Sequence, residues 1–201
     1  MTDAISEFWH VFQRRAQDLS AAKSADSPVY DALLQRLQAI DSGLYLEFSV
    51  HPGAKELIIT ADGKRSLFRV ARAIVEAAPS VEGWTIRALK PKLGFPKKVR
   101  WNNIELRVAD IMFDPLAQEG SENLGIRILI PDIMESETED AHNAILRAID
   151  HGLGEEEFAE SVQYTEVCPL PAGAEPDEFI PLTQLEAFIR WRESKRREAS
   201  G

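Results

Sequence analysis

Between residues 56 and 89 the hydrophobic pattern switches from a strand run to a helical period and back, which leaves room only for a strand, a turn, a helix and a second strand. Leu57, Ile58 and Ile59 form an apolar run too brief for a helix. Asp62-Gly63 follows as a turn, because glycine accepts positive φ and aspartate can bond its own backbone. Leu67, Ala71, Ile74 and Ala78 then recur on one helical face, widened by Phe68 and Val75, until Pro79 ends the helix by lacking an amide and clashing with the preceding turn. Trp84, Ile86 and Ala88 alternate as the strand beyond.

The flanks supply the remaining layers. Ile5, Phe8, Trp9, Phe12, Ala16 and Leu19 repeat at three and four residues, so the chain opens on a helix whose apolar face must be covered by the protein, with Thr2 as its cap. A short polar linker over residues 21–26 precedes Ser27-Pro28, an N-cap with proline at the first helical position. Tyr30, Leu33, Leu37 and Ile40 make the second helix, stopped at Gly43. Leu44, Leu46, Phe48 and Val50 then alternate with polar residues as a strand, and His51-Pro52-Gly53 turns it into a hairpin with the run at Leu57.

Residues 44–89 thus read strand, strand, helix, strand, and residues 104–168 repeat that order. Ile104, Leu106 and Val108 form a strand after a tight turn at Asn102-Asn103; residues 114–121 are a polar loop; Leu124, Ile126, Ile128 and Ile130 form the next strand, closed by Pro131-Asp132. Ser136 and Glu139 have capping-box spacing before a helix with Ala141, Ile145, Ala148 and Ile149 inward and Gly152 as its C-terminal cap. Residues 162–168 make the last strand. A proline-rich linker and a helix with Leu182, Leu185, Phe188 and Ile189 inward finish the chain.

The expected architecture is therefore a single α+β domain over residues 1–201. Residues 1–43 are an N-terminal helical pair, and residues 44–168 a duplicated strand-strand-helix-strand core forming a mostly antiparallel sheet with helices on one face. Residues 169–201 are the linker and the one C-terminal helix.

Net charge of −10 and a pI near 5.0 disfavour nucleic acid and anionic membranes as general partners. The N-terminus carries Asp3 and Glu7 rather than a basic region before an apolar run, and no run approaches the roughly 20 residues of a membrane span, so a cytoplasmic location and no membrane partner are expected. Cys168 cannot form an internal disulfide.

Motifs that carry chemistry are incomplete. Gly63-Lys64-Arg65-Ser66 has the lysine of a phosphate-binding loop, but Ile58 stands where the first glycine is needed and Arg65 where a Ser or Thr would hold magnesium. Glu139 and His142 share a helical face, yet carboxylate-bridged metal sites need a second such pair. No metal or cofactor is expected, Cys168 has no nearby base, and no catalytic residues can be assigned.

The most function-like stretch is basic: Lys90, Lys92, Lys97, Lys98 and Arg100, interrupted by Pro91, Gly94 and Pro96 and punctuated by Phe95 and Trp101. Its prolines and glycine make its middle a loop, and its cations suit an acidic protein surface, on a partner or on a second copy of the chain. The leading expectation is a non-enzymatic protein-binding or regulatory module using these seven residues. The alternatives are a small-molecule enzyme with its site near residues 90–100, using Asp62 or Asp132, or a single-stranded nucleic-acid binder that stacks bases on the same aromatics.

Residues 56–84, with the aliphatic strand, the Ala61-Asp62-Gly63 turn, the helix ending Ala77-Ala78-Pro79 and Gly83-Trp84, resemble stretches of uncharacterised bacterial cytoplasmic proteins with a domain of unknown function. Leu153-Gly154-Glu155, followed by a strand into Pro169, is similar in character. The resemblance covers about a third of the chain and implies a compact α+β domain of bacterial cytoplasmic origin, with no activity, cofactor or functional residue attached.

Overall fold

A computed structural model describes residues 2–22, 27–51, 54–116, 123–174 and 176–200. Most of the expected linker at 21–26, the turn at 52–53 and most of the loop at 114–121 lie outside these. The fold is α+β, and its contacts divide the chain into two compact units, residues 1–90 and 91–201.

In the first unit, helices α1 (Thr2–Ala21) and α2 (Pro28–Gln38) precede strands β1 (Tyr45–His51) and β2 (Ala54–Thr60), helix α3 (Phe68–Glu76) and strand β3 (Trp84–Ala88). Ser27 caps α2 as its sequence requires, its side chain accepting from the Tyr30 amide at 3.3 Å with Pro28 next in line. β1 runs antiparallel to β2, and β2 runs parallel to β3. The register aligns Phe48, Leu57 and Ile86 in one row and Leu46, Ile59 and Ala88 in the next, so a continuous apolar face lies under the helices. Asp62 and Gly63 have φ of 50° and 75°, the left-handed turn that lets the chain leave β2 for α3.

Phe68 and Ile74 are buried on the inner face of α3. The apolar face of α1 is buried as well: Ile5, Phe8, Trp9, Phe12, Ala16 and Leu19 all belong to the core. The Trp9 indole N–H donates to the Ile74 carbonyl at 2.9 Å, so the one polar atom of that side chain is satisfied inside the apolar layer.

The second unit opens with the hairpin β4 (Lys98–Trp101) and β5 (Ile104–Arg107), turned at Asn102 with φ of 47°. Strands β6 (Met112–Pro115) and β7 (Gly125–Ile130) follow, then helices α4 (Thr138–Leu153) and α5 (Glu155–Ser161) and strand β8 (Tyr164–Pro169). The short strand β9 (Ile180–Pro181) and helix α6 (Leu185–Ser200) complete it. The larger sheet has the order β8-β7-β6-β9, with β7 and β8 parallel and β6 antiparallel to both of its neighbours.

Three expectations need correction here. The strand at Ile104 does not begin the second strand-strand-helix-strand unit: it pairs only with β4, and Met112–Pro115 takes that place against β7. Asp114-Pro115 reads as a turn in isolation, but Pro115 ends the strand, where a missing amide costs least, and Phe113 carries the burial. The cap of α4 also shifts. Its helix follows a 3₁₀ turn over Glu135–Glu137, and Glu137 rather than Glu139 reaches back to accept from an amide, that of Met134 at 3.0 Å. Among the described residues the strands, finally, fall into three sheets of three, two and four members rather than one, and four of the six pairings described are antiparallel.

With that shift the internal repeat becomes topologically close. β1-β2-α3-β3 and β6-β7-α4-α5-β8 each join an antiparallel strand pair to a parallel third strand, across one helix in the first unit and two in the second. Each second strand leaves through a left-handed aspartate, Asp62 or Asp132, before a 3₁₀ turn and the helix.

Candidate functional site

The basic segment splits at the boundary between the two units. Lys90 belongs to the first, where its ammonium lies 3.8 Å from both Glu47 and Asp62. Lys92, Phe95, Lys97, Lys98, Arg100 and Trp101 belong to the second and share one region of it.

Residues 91–97 are a loop, as their prolines and Gly94 require, and the loop is pinned to the end of α4. The Leu93 amide donates to the His151 carbonyl at 2.9 Å, and His151 Nδ1 donates to the Gly94 carbonyl. Phe95 packs against Gly152, where an added Cβ would stand 2.7 Å from its ring. Gly152 therefore does not cap the helix, which runs on to Leu153 before Gly154 ends it; it is bare so that an aromatic ring can approach the backbone. Lys92 pairs with Glu186 and stands 3.8 Å from Glu157. Between these anchors Leu93 projects into solvent with 65% of its surface exposed.

The second half of the segment is strand β4, not loop. Val99 and Leu106 face inward, and Phe95 and Trp101 pack half-buried against the core of the unit, with the Arg147 guanidinium 5.4 Å from the Trp101 ring. Both aromatics are thus turned toward the protein. The outward face of the hairpin is charged. Arg100 lies opposite Glu105, which is also held by Lys98 at 2.5 Å, and these two cations, Lys98 foremost, keep the Glu105 carboxyl below the usual carboxylate range.

Lys98 lies directly opposite Arg107, and like charges in that position destabilise a strand pair. Arg107 finds Asp110 at 3.5 Å. Lys97 is exposed and forms no ion pair with another described residue. From residue 97 to 107 four cations face one carboxylate, on a chain whose net charge is −10.

Leu93 was not legible as a site residue. A leucine between prolines is indistinguishable in sequence from a core residue, and its exposure follows from the pins on either side of it.

The other expected chemistry stays dispersed. His142 Nε2 bonds the Thr165 hydroxyl at 2.8 Å, and Glu139 uses its carbonyl to accept from Asn143. Among the described residues no group of three or more His, Cys, Asp or Glu side chains could hold a metal ion. A cleft of about 450 Å³ in the first unit is lined by Ile5, Trp9, Ala73, Ala77 and Pro79, with His10 as its one titratable side chain. No described helix is long and apolar enough to cross a membrane.

The pin at Lys92 has a measurable pH signature. Its ammonium is the main cause that holds Glu186 below the ordinary carboxylate range, so this pair contributes at neutral pH and is lost as pH falls through the depressed value. Glu186→Gln is expected to lower stability at pH 7 by at most about 1 kcal/mol, since the pair is partly exposed. The difference from the natural protein should close as pH falls below the ordinary carboxylate range. Urea midpoints across that range measure it, and a difference independent of pH would assign the effect to packing.

The fold and this region define an α+β protein of two topologically matched units, the second bearing a cationic hairpin. No family model matches the sequence, and no curated protein is similar to it.

Proposed function

We propose that the protein is a non-enzymatic binding module that takes an acidic protein surface onto the outward face of the β4–β5 hairpin, with Leu93 as the apolar anchor beside it. The observation that carries this is Lys98 opposite Arg107. Each has a carboxylate beside it, Lys98 at Glu105 and Arg107 at Asp110, but with Lys97 and Arg100 the hairpin sets four cations against these two acids, and that surplus suits an anionic surface brought from outside. The pinned loop adds to it. Leu93 is held outward without further ordering, so its burial in a partner pocket, worth about 1.5–3 kcal/mol, is not offset by loop entropy.

Single-stranded nucleic acid fits less well, because Phe95 and Trp101 are half-buried against the core and the chain as a whole is acidic. A catalytic reading would rest on the cleft lined by α1, with a single titratable side chain. The bacterial cytoplasm is the setting assumed here, on the resemblance of residues 56–84.

A fluorescent peptide of alternating glutamate and leucine tests the reading by anisotropy at low and high salt. Binding should weaken about tenfold or more on Lys97→Glu, Lys98→Glu and Arg107→Glu together, and separately on Leu93→Ala, with the circular dichroism unchanged. Equal binding by all forms would remove the hairpin from the function.

A further inference from the structure

The second unit also carries the counterpart of its own cationic patch. Residues 132–140 hold five acids in nine positions: Asp132, Glu135, Glu137, Glu139 and Asp140. None of them forms an ion pair with another described residue. Among them in sequence stands Met134, 61% exposed, an apolar side chain flanked by acids as Leu93 is flanked by cations.

The Leu93 loop and the Met134 patch lie toward opposite ends of α4, with the β4–β5 hairpin running between them. Leu93 and Gly94 are bonded to His151 in its last turn, whereas Asp140 is in its first turn, where it accepts from Asn102 at 2.8 Å. A helix of 16 residues spans about 24 Å, too far for Leu93 to reach Met134 in the same molecule, and the tip of the hairpin meets the acidic turn through the neutral Asn102 rather than through an ion pair of described residues. The helix dipole accounts for acids in the first turn, but not for the exposed methionine among them.

We propose that the acidic surface this hairpin takes is that of a second copy. Two copies related by a two-fold axis lie end for end along α4, and each sets its Lys92–Lys98 region on the Met134 patch of the other. The contact is self-complementary and closes as a dimer. Leu93 and Met134 supply the apolar centre, while the surrounding charges fix register and speed encounter. The proposal rests on the hairpin as an acidic-surface binder and names that surface.

Sedimentation velocity of the full chain, over a concentration series at low and high salt, tests it. The natural protein should dimerise, with a dissociation constant at least about tenfold higher at high salt. The variant Lys97→Glu/Lys98→Glu/Arg107→Glu and the variant Glu135→Lys/Glu139→Lys should each be monomeric alone. Mixed one to one they should pair, because each now presents what the other lacks, and that recovery also shows that both are folded. A monomeric natural protein, a variant that still dimerises alone, or a mixture that stays monomeric overturns the proposal. If the natural protein is monomeric but still binds the glutamate-leucine peptide, only the choice of partner falls; if the peptide also fails, the acidic-surface reading falls with it.

Discussion

Phe113→Ala is expected to lower the unfolding free energy by about 3–5 kcal/mol, the range for removing a fully buried aromatic side chain. Phe113 has no exposed surface, faces Ile128 across the β6–β7 register and meets Phe188 of α6 edge-on at 5.5 Å. Its removal opens a cavity between the sheet and α6 that Ile111 and Leu182 cannot fill without moving backbone. The edge-on contact adds to the loss. Phe113→Leu keeps most of the volume and should cost less than half as much. Urea denaturation at constant slope measures both. A Phe113→Ala midpoint close to that of the natural protein would mean that Met112–Pro115 is not a core strand.

Phe12→Ala should have an effect of the same size, about 3–5 kcal/mol, in the first unit. Its ring is fully buried and meets two others edge-on, Trp84 of β3 at 5.2 Å and Trp9 at 5.7 Å, so it seats α1 on the sheet. Losing it leaves Trp9 tied by its indole bond to Ile74 but without the ring that orders its other side. Two signals should change together. The denaturation midpoint should fall, and tryptophan emission should shift to the red as Trp9 and Trp84 meet water. A variant of natural stability would place the face of α1 elsewhere than on β3.

Much of this architecture was legible because it is local. Ser27-Pro28 starts α2, Asp62-Gly63 turns left-handed, Asn102-Asn103 reverses the hairpin, and the apolar periods of α1, α3 and α4 point to their buried faces. The repeated order of elements was legible too, though displaced by one strand. Ile104, Leu106 and Val108 alternate more clearly than Met112 to Pro115, and pattern strength says nothing of which strand lies across the sheet.

The cations of the candidate site were legible as a group, but their roles were not. Lys90 pairs within the first unit, Lys92 holds the loop to α6, Lys98 and Arg100 share Glu105, and Lys97 stands free of any described ion pair. Phe95 and Trp101, which a sequence presents as stacking surfaces, face the core, while Leu93 faces water.

The sequence by itself determined what each segment becomes, since caps, turns and amphipathic periods act between residues a few positions apart. Only the tertiary structure decided which strand pairs with which and which side chains of a short irregular loop point outward. Gly152 shows the reason. In the chain it reads as a helix stop; in the fold its missing Cβ is the space that Phe95 occupies from 57 positions away, and that contact turns Leu93 to solvent.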